Sequence, residues 1–182
     1  MVFVGIMNYM NDNKNISACG IDFGTSNSTI GISSGTNLRL MPLEGDSPIL
    51  KSAIFFSIED DDHFIGQDGI DRYFAGSPGR LMLSLKSILG SSLASEKIVV
   101  CKKLISYQEI IGLVLKHIKT TAENQLNSEL TKVVLGRPVR YHDHDDKKDK
   151  LAQTTMKEIA IEQGFKEIEF QFEPIAAALD YE

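Results

Sequence analysis

The run Gly20-Ile21-Asp22-Phe23-Gly24-Thr25-Ser26-Asn27-Ser28 constrains this chain more than any other stretch. An apolar strand carries the Asp22 carboxylate to its end, and Gly24 lets the backbone turn sharply where a side chain would clash. Thr25, Ser26 and Asn27 follow with backbone N–H groups and short polar side chains. Successive amides in such a turn form a concave nest for an anion, most often phosphate. A carboxylate beside a phosphate makes chemical sense when a divalent cation, or water bound to it, lies between them. The same residues also fit an ordinary hairpin turn in which Asp22 caps its own backbone.

At 182 residues, the chain is long enough for one sizeable domain or two small units. Its net charge of −6 argues against sequence-independent nucleic-acid binding, which calls for a basic protein. No apolar run approaches the roughly 20 residues of a membrane helix. Neither nucleic acid nor a membrane is therefore expected as a partner. Cys19 and Cys101 have neither a disulfide framework nor the spacing of a metal knuckle. Both lie in apolar, strand-like runs and read as buried reduced thiols, which suits a cytoplasmic location. Residues 1–15 end in a polar, Asn-rich stretch and read as a loose, disordered extension.

Ile16 to Phe23 reads as a strand, Thr29 to Ser33 as its antiparallel partner and Leu38 to Pro42 as a third, with Ser34-Gly35-Thr36-Asn37 turning between the last two. Ala53 to Ile58 is a further strand, and Glu59-Asp60-Asp61-Asp62 a solvated acidic turn. Helical spacing runs from Asp68 to Gly76. Lys86 is the odd residue of a mostly apolar run from Arg80 to Gly90; such a lysine ordinarily snorkels to solvent. Ser106-Tyr107-Gln108-Glu109 has the form of a capping box and opens a long amphipathic helix through Ile118. Lys132 to Gly136 is a buried-strand run ended by Arg137-Pro138. The segment Tyr141-His142-Asp143-His144-Asp145-Asp146 suggests a metal site, but the charges that follow it favour a solvated helix start. Leu151 to Gly164 reads as a helix with Gly164 at its C′ position, Glu167 to Phe172 as a strand, and Pro174 as the first position of a closing helix. Antiparallel strands, an inserted unit and then alternating helices and strands make an α/β layout.

Four segments in this order resemble the ATPase domain of the DnaK-type heat shock protein 70 chaperones, in the actin and sugar-kinase superfamily. They are Gly20–Ser28, Ser84–Gly90, Val133–Pro138 and Phe172–Tyr181. The first resembles the family's phosphate turn, the second its lysine-bearing segment, the third its strand ending in proline. Phe172-Glu173-Pro174-Ile175-Ala176-Ala177-Ala178 is similar to its Asn-Glu-Pro-Thr-Ala-Ala-Ala motif. Gly-Arg-Pro, Phe-Glu-Pro and the closing Leu179-Asp180-Tyr181-Glu182 look closest to the atypical YegD-like branch.

The resemblance implies lobe I of an actin-like ATPase (ribonuclease H-like) fold, a mixed sheet with flanking helices and an inserted small α/β subdomain. Subdomain IA would take residues 16–50 and 105–182, and subdomain IB residues 51–104. It implies ATP or ADP as ligand, with Mg2+. Gly24, Thr25, Ser26 and Asn27 would contact the phosphates, and Asp22 and Glu173 would hold waters on the metal. Lys86 would act on the γ-phosphate, making Lys86, Asp22 and Glu173 the catalytic set, while Pro138 is the allosteric candidate. Gly136-Arg137 before the proline and Ile175 after it depart from the family pattern, which bears on coupling more than on phosphate chemistry. The second phosphate motif, the adenosine segment and the second lobe have no counterpart in these residues, so the expectation is one lobe of a larger protein, inactive by itself. Unfolded polypeptide or co-chaperones would be partners through other regions. The alternatives are a sugar kinase of the same superfamily, or a non-catalytic interaction module that kept the fold.

Overall fold

The central strand, β1 (Ala18–Phe23), places Cys19, Ile21 and Phe23 on one face by the two-residue period, and all three are buried. In the computed structural model, which describes residues 18–34, 37–141 and 145–175, β1 is flanked on both sides. On one side β2 (Asn27–Ser34) and β3 (Asn37–Leu40) follow as an antiparallel meander, with the short β4 (Leu50–Lys51) pairing the start of β2. On the other lie β10 (Lys132–Arg137) and β11 (Glu167–Phe172), both parallel to β1. The path through the sheet is β11-β10-β1-β2-β3, a mixed sheet of the kind expected.

Parallel neighbours require crossover connections, and helices supply them. α2 (Tyr107–Leu126) begins at the expected capping box. Glu109 N donates to Ser106 Oγ at 3.1 Å, and Ser106 N donates to the Glu109 carboxylate at 2.7 Å. Its inward stripe of Ile110, Ile111, Val114, Leu115 and Ile118 is buried, each side chain contributing about 1.5–3 kcal/mol relative to exposure. α3 (Asp146–Glu162) starts well before the expected Leu151. The Asp145 carboxylate accepts hydrogen bonds from the N–H groups of Lys147 and Lys148, so a charged, solvent-facing turn with no apolar period is already helical. At its other end Gly164 takes φ +91°. Gly164 N donates to Ile161 O at 2.9 Å and Phe165 N to Ala160 O at 3.1 Å, with Phe165 buried beneath the turn.

Between β4 and α2 runs a second unit. β5 (Ala53–Ser57) is the buried centre of an antiparallel sheet ordered β6-β5-β7, with β6 (Asp62–Ile65) and β7 (Gly79–Leu83) at its edges and α1 (Gln67–Phe74) across it. Two 3-10 turns, at Leu85–Ile88 and Ser92–Ser95, lead to the hairpin of β8 (Lys97–Val100) and β9 (Lys103–Ser106). That hairpin corrects one expectation. Cys19 is buried and its thiol is pushed up by burial, but Cys101 is only half-buried and lies in the tight turn. Cys101 and Lys102 both have positive φ, 48° and 60°, as a two-residue hairpin turn of the favoured hand demands. Residues 1–17, 35–36, 142–144 and 176–182 lie outside the described residues, and with them the expected extension, the middle of the expected turn at 34–37, the histidines of the segment at 141–146 and the continuation of the expected closing helix. No helix among the described residues is long and apolar enough to cross a membrane.

Candidate functional site

Three sequence segments meet at the carboxyl ends of the parallel strands, where open α/β sheets bind ligands. Asp22 stands near the end of β1. Gly136, Arg137 and Pro138 close β10, and Glu173 follows β11 as the first residue of a helical turn. The ladder pairs Ile21 with Leu135 and Arg137 with Phe172, which sets the three ends level.

Lys86 reaches this edge from the 3-10 turn at Leu85–Ile88, whose preceding residue Ser84 holds a left-handed conformation at φ 55°. Its ammonium donates to Glu173 Oε1 at 2.7 Å, and its side chain is only 10% exposed. Lys86 is therefore held by a carboxylate rather than snorkelling into water. Asp22 is half-buried, and its carboxyl is raised above the ordinary range. Burial is the main cause and the Glu173 charge adds to it, while Lys86 opposes both. Two carboxylates and one ammonium thus share one electrostatic neighbourhood, with their charges summing to −1 when ionised. The Glu173 charge opposes ionisation of Asp22. Among the described residues no cluster of three His, Cys, Asp or Glu side chains is placed to ligate a metal directly.

The turn at residues 24–27 is tighter than the sequence suggested, because β2 already begins at Asn27. Gly24 N donates to Asn27 O at 3.1 Å. A Cβ on Gly24 would stand 2.2 Å from that same carbonyl oxygen, so only glycine closes this turn. The side chains of Thr25, Ser26 and Asn27 are exposed. Behind the turn Ser52 N donates to Ser26 O at 2.9 Å, and the buried hydroxyls of Ser28 and Ser52 lie 2.8 Å apart. These contacts fix the turn to β4.

Pro138 is half-buried beside the site. Its carbonyl accepts from Arg137 Nε at 3.1 Å, and the Arg137 guanidinium binds both Asp149 oxygens, at 3.1 and 2.9 Å. Burial works to raise the Asp149 carboxyl, yet the Tyr141 N–H and Arg137 hold it below its ordinary range on balance. Gly136 is a further residue of this edge that the motifs do not single out. A Cβ there would meet Glu173 Cγ at 3.5 Å and Asp22 Cα at 3.7 Å, ordinary contact distances, so Gly136 lies against both acid-bearing segments without its lack of a side chain being required. A glycine inside an otherwise apolar strand was the available signal.

Comparison with known proteins gives the same direction. Residues 18–182 match the family described as Hsp70 protein. A chaperone protein HscA homolog from Rickettsia typhi is 29% identical over 174 residues, spanning 90% of this chain and 28% of the relative. The HscA homolog of Rickettsia felis is 30% identical over 176 residues, 90% of this chain and 26% of the relative. The chain thus spans about a quarter of the length of the curated relatives it matches. Its mixed sheet, flanking helices and smaller α/β insert are those of an actin-like ATPase lobe, and the chain belongs to the Hsp70 family.

Proposed function

We propose that the 24–27 turn, Asp22, Lys86 and Glu173 form one side of a nucleotide phosphate site in a DnaK-type chaperone that binds and hydrolyses ATP. The observation that carries this is the meeting of Lys86 and Glu173, 87 residues apart in sequence, beside the Asp22 carboxyl at one sheet edge. Gly24, Thr25, Ser26 and Asn27 hold the phosphates through backbone N–H groups and hydroxyls. Asp22 and Glu173 hold the waters of Mg2+, which neutralises phosphate charge when bound. Lys86 orients the attacking water and offsets charge developing on the γ-phosphate. Pro138 relays the state of the site to further regions, where client polypeptides or co-chaperones bind. Subdomain IA comprises residues 16–50 and 105–182, and subdomain IB residues 51–104. The branch is YegD-like and the location cytoplasmic. The Hsp70 match leaves no support for the sugar-kinase alternative.

These residues supply the contacts of one side of the cleft. Association costs several kcal/mol before any contact is repaid. The 182-residue chain should therefore bind MgATP at about millimolar affinity, near −4 kcal/mol, and show no turnover. Calorimetry and a phosphate-release assay test both statements; micromolar binding or steady turnover by this chain contradicts them, and no binding at all returns it to the non-catalytic alternative. In a full-length protein, Lys86→Ala should lower ATP turnover by about 100-fold or more while leaving nucleotide affinity nearly unchanged.

A further inference from the structure

We propose that Lys51 is a second cationic contact for the polyphosphate at the 24–27 turn, an inference that rests on the phosphate-site reading above. The backbone ladder sets Lys51 opposite Asn27 and Leu50 opposite Ser28. With Ser52 N on Ser26 O and the buried Ser28–Ser52 hydroxyl pair, this makes the turn and β4 one rigid unit. The position of the Lys51 backbone relative to the turn is therefore fixed, and only its exposed side chain is free to move. Its ammonium stands on the rim of the turn, donating to Asn27 Oδ1 at 3.1 Å.

Charge separates this lysine from Lys86. The Lys86 ammonium is already compensated by Glu173 at 2.7 Å. The side-chain partner of Lys51 among the described residues is a neutral amide oxygen, which leaves its positive charge available. An arriving triphosphate carries several negative charges into a neighbourhood that already sums to −1. An uncompensated ammonium at the rim is what that encounter lacks, and a lysine binds phosphate as a mobile point charge without needing a fixed fork. On binding, Lys51 exchanges the Asn27 amide oxygen for a phosphate oxygen.

The test is titration of the 182-residue chain with inorganic tripolyphosphate and with ATP, followed by NMR of the backbone amides, for wild type, Lys51→Gln, Lys51→Arg and Gly24→Val. Lys51→Gln should bind both ligands at least about fivefold more weakly at about 20 mM salt, with the gap narrowing at about 300 mM. Lys51→Arg should stay within about twofold of wild type, because the charge is kept. Gly24→Val, which blocks the turn, should abolish binding. Lys51→Gln binding as wild type while Gly24→Val loses binding overturns the role of Lys51 and leaves the phosphate turn standing. Absence of binding in wild type overturns both.

Discussion

Two glycines of the site should respond very unequally to the same added methyl group. On Gly24 a Cβ would stand 2.2 Å from the Asn27 carbonyl oxygen, so the turn must open by more than about 1 Å to reach ordinary contact. That movement also breaks the 3.1 Å hydrogen bond from Gly24 N to Asn27 O. Overpacking of this kind costs about 1–3 kcal/mol and the lost hydrogen bond about 1 more. Gly24→Ala should therefore lower the urea unfolding midpoint by roughly 1–2 M. It should also remove measurable phosphate binding, since a displacement of about 1 Å is enough to ruin a positioned site. On Gly136 the Cβ would meet its nearest neighbours at 3.5, 3.6 and 3.7 Å, ordinary contact distances. Gly136→Ala should stay within about 1 kcal/mol of wild type. Urea denaturation of both variants, followed by circular dichroism, makes the comparison. A Gly24→Ala protein as stable as wild type, or a Gly136→Ala protein that falls as far, refutes the steric argument.

Further outcomes follow from the same geometry. Because the Asp22 carboxyl is raised in the folded state, its contribution to stability is present at low pH and is lost as pH rises through the raised value. Asp22→Asn should accordingly unfold at higher urea than wild type at neutral pH, with the difference shrinking towards about pH 4; a lower midpoint at neutral pH would contradict this. Glu173→Ala strands a Lys86 ammonium that is 10% exposed and should cost about 1–3 kcal/mol, whereas Lys86→Met combined with Glu173→Met should recover most of the loss in thermal denaturation. Asp149 behaves inversely to Asp22. Its lowered carboxyl contributes stability above the unfolded value, lost as pH falls below about 4, so Asp149→Asn should flatten the acid limb of stability against pH. Gly164→Ala, at φ +91°, should destabilise by about 1–2 kcal/mol in urea titration.

What the sequence revealed and what it hid divide along a physical line. β1, the α2 capping box and the Gly164 terminus were legible because each is written in consecutive residues: an apolar alternation, a Ser and Glu three apart, a glycine after an amphipathic run. β4 is a two-residue edge strand whose partner lies 24 residues back along the chain, β6 is a short edge strand opening in the acidic turn, and α3 opens in a charged turn with no apolar period. The β8–β9 turn uses Cys101 and Lys102 where glycine or asparagine would have announced it. At the site, the residues of the 24–27 turn and the acids could be named from motifs. That Lys86 finds Glu173 could not be read from spacing, since the pairing is made by the fold across 87 residues. Gly136 looked like a departure before Pro138, and its place against both the Asp22 backbone and the Glu173 side chain emerges only from the fold.

The site of phosphate binding is the most direct test of the 24–27 turn, Lys86 and Glu173 acting together. Backbone-amide NMR of the 182-residue chain titrated with MgATP, and in parallel with adenosine, locates it directly. Progressive shifts are expected at residues 24–27 and around Lys86 and Glu173 with MgATP, at about millimolar affinity, and little change there with adenosine. Shifts that spare the 24–27 turn and cluster instead in the groove lined by Glu44, His63, Asp68 and His117, or equal responses to both ligands, would contradict this expectation.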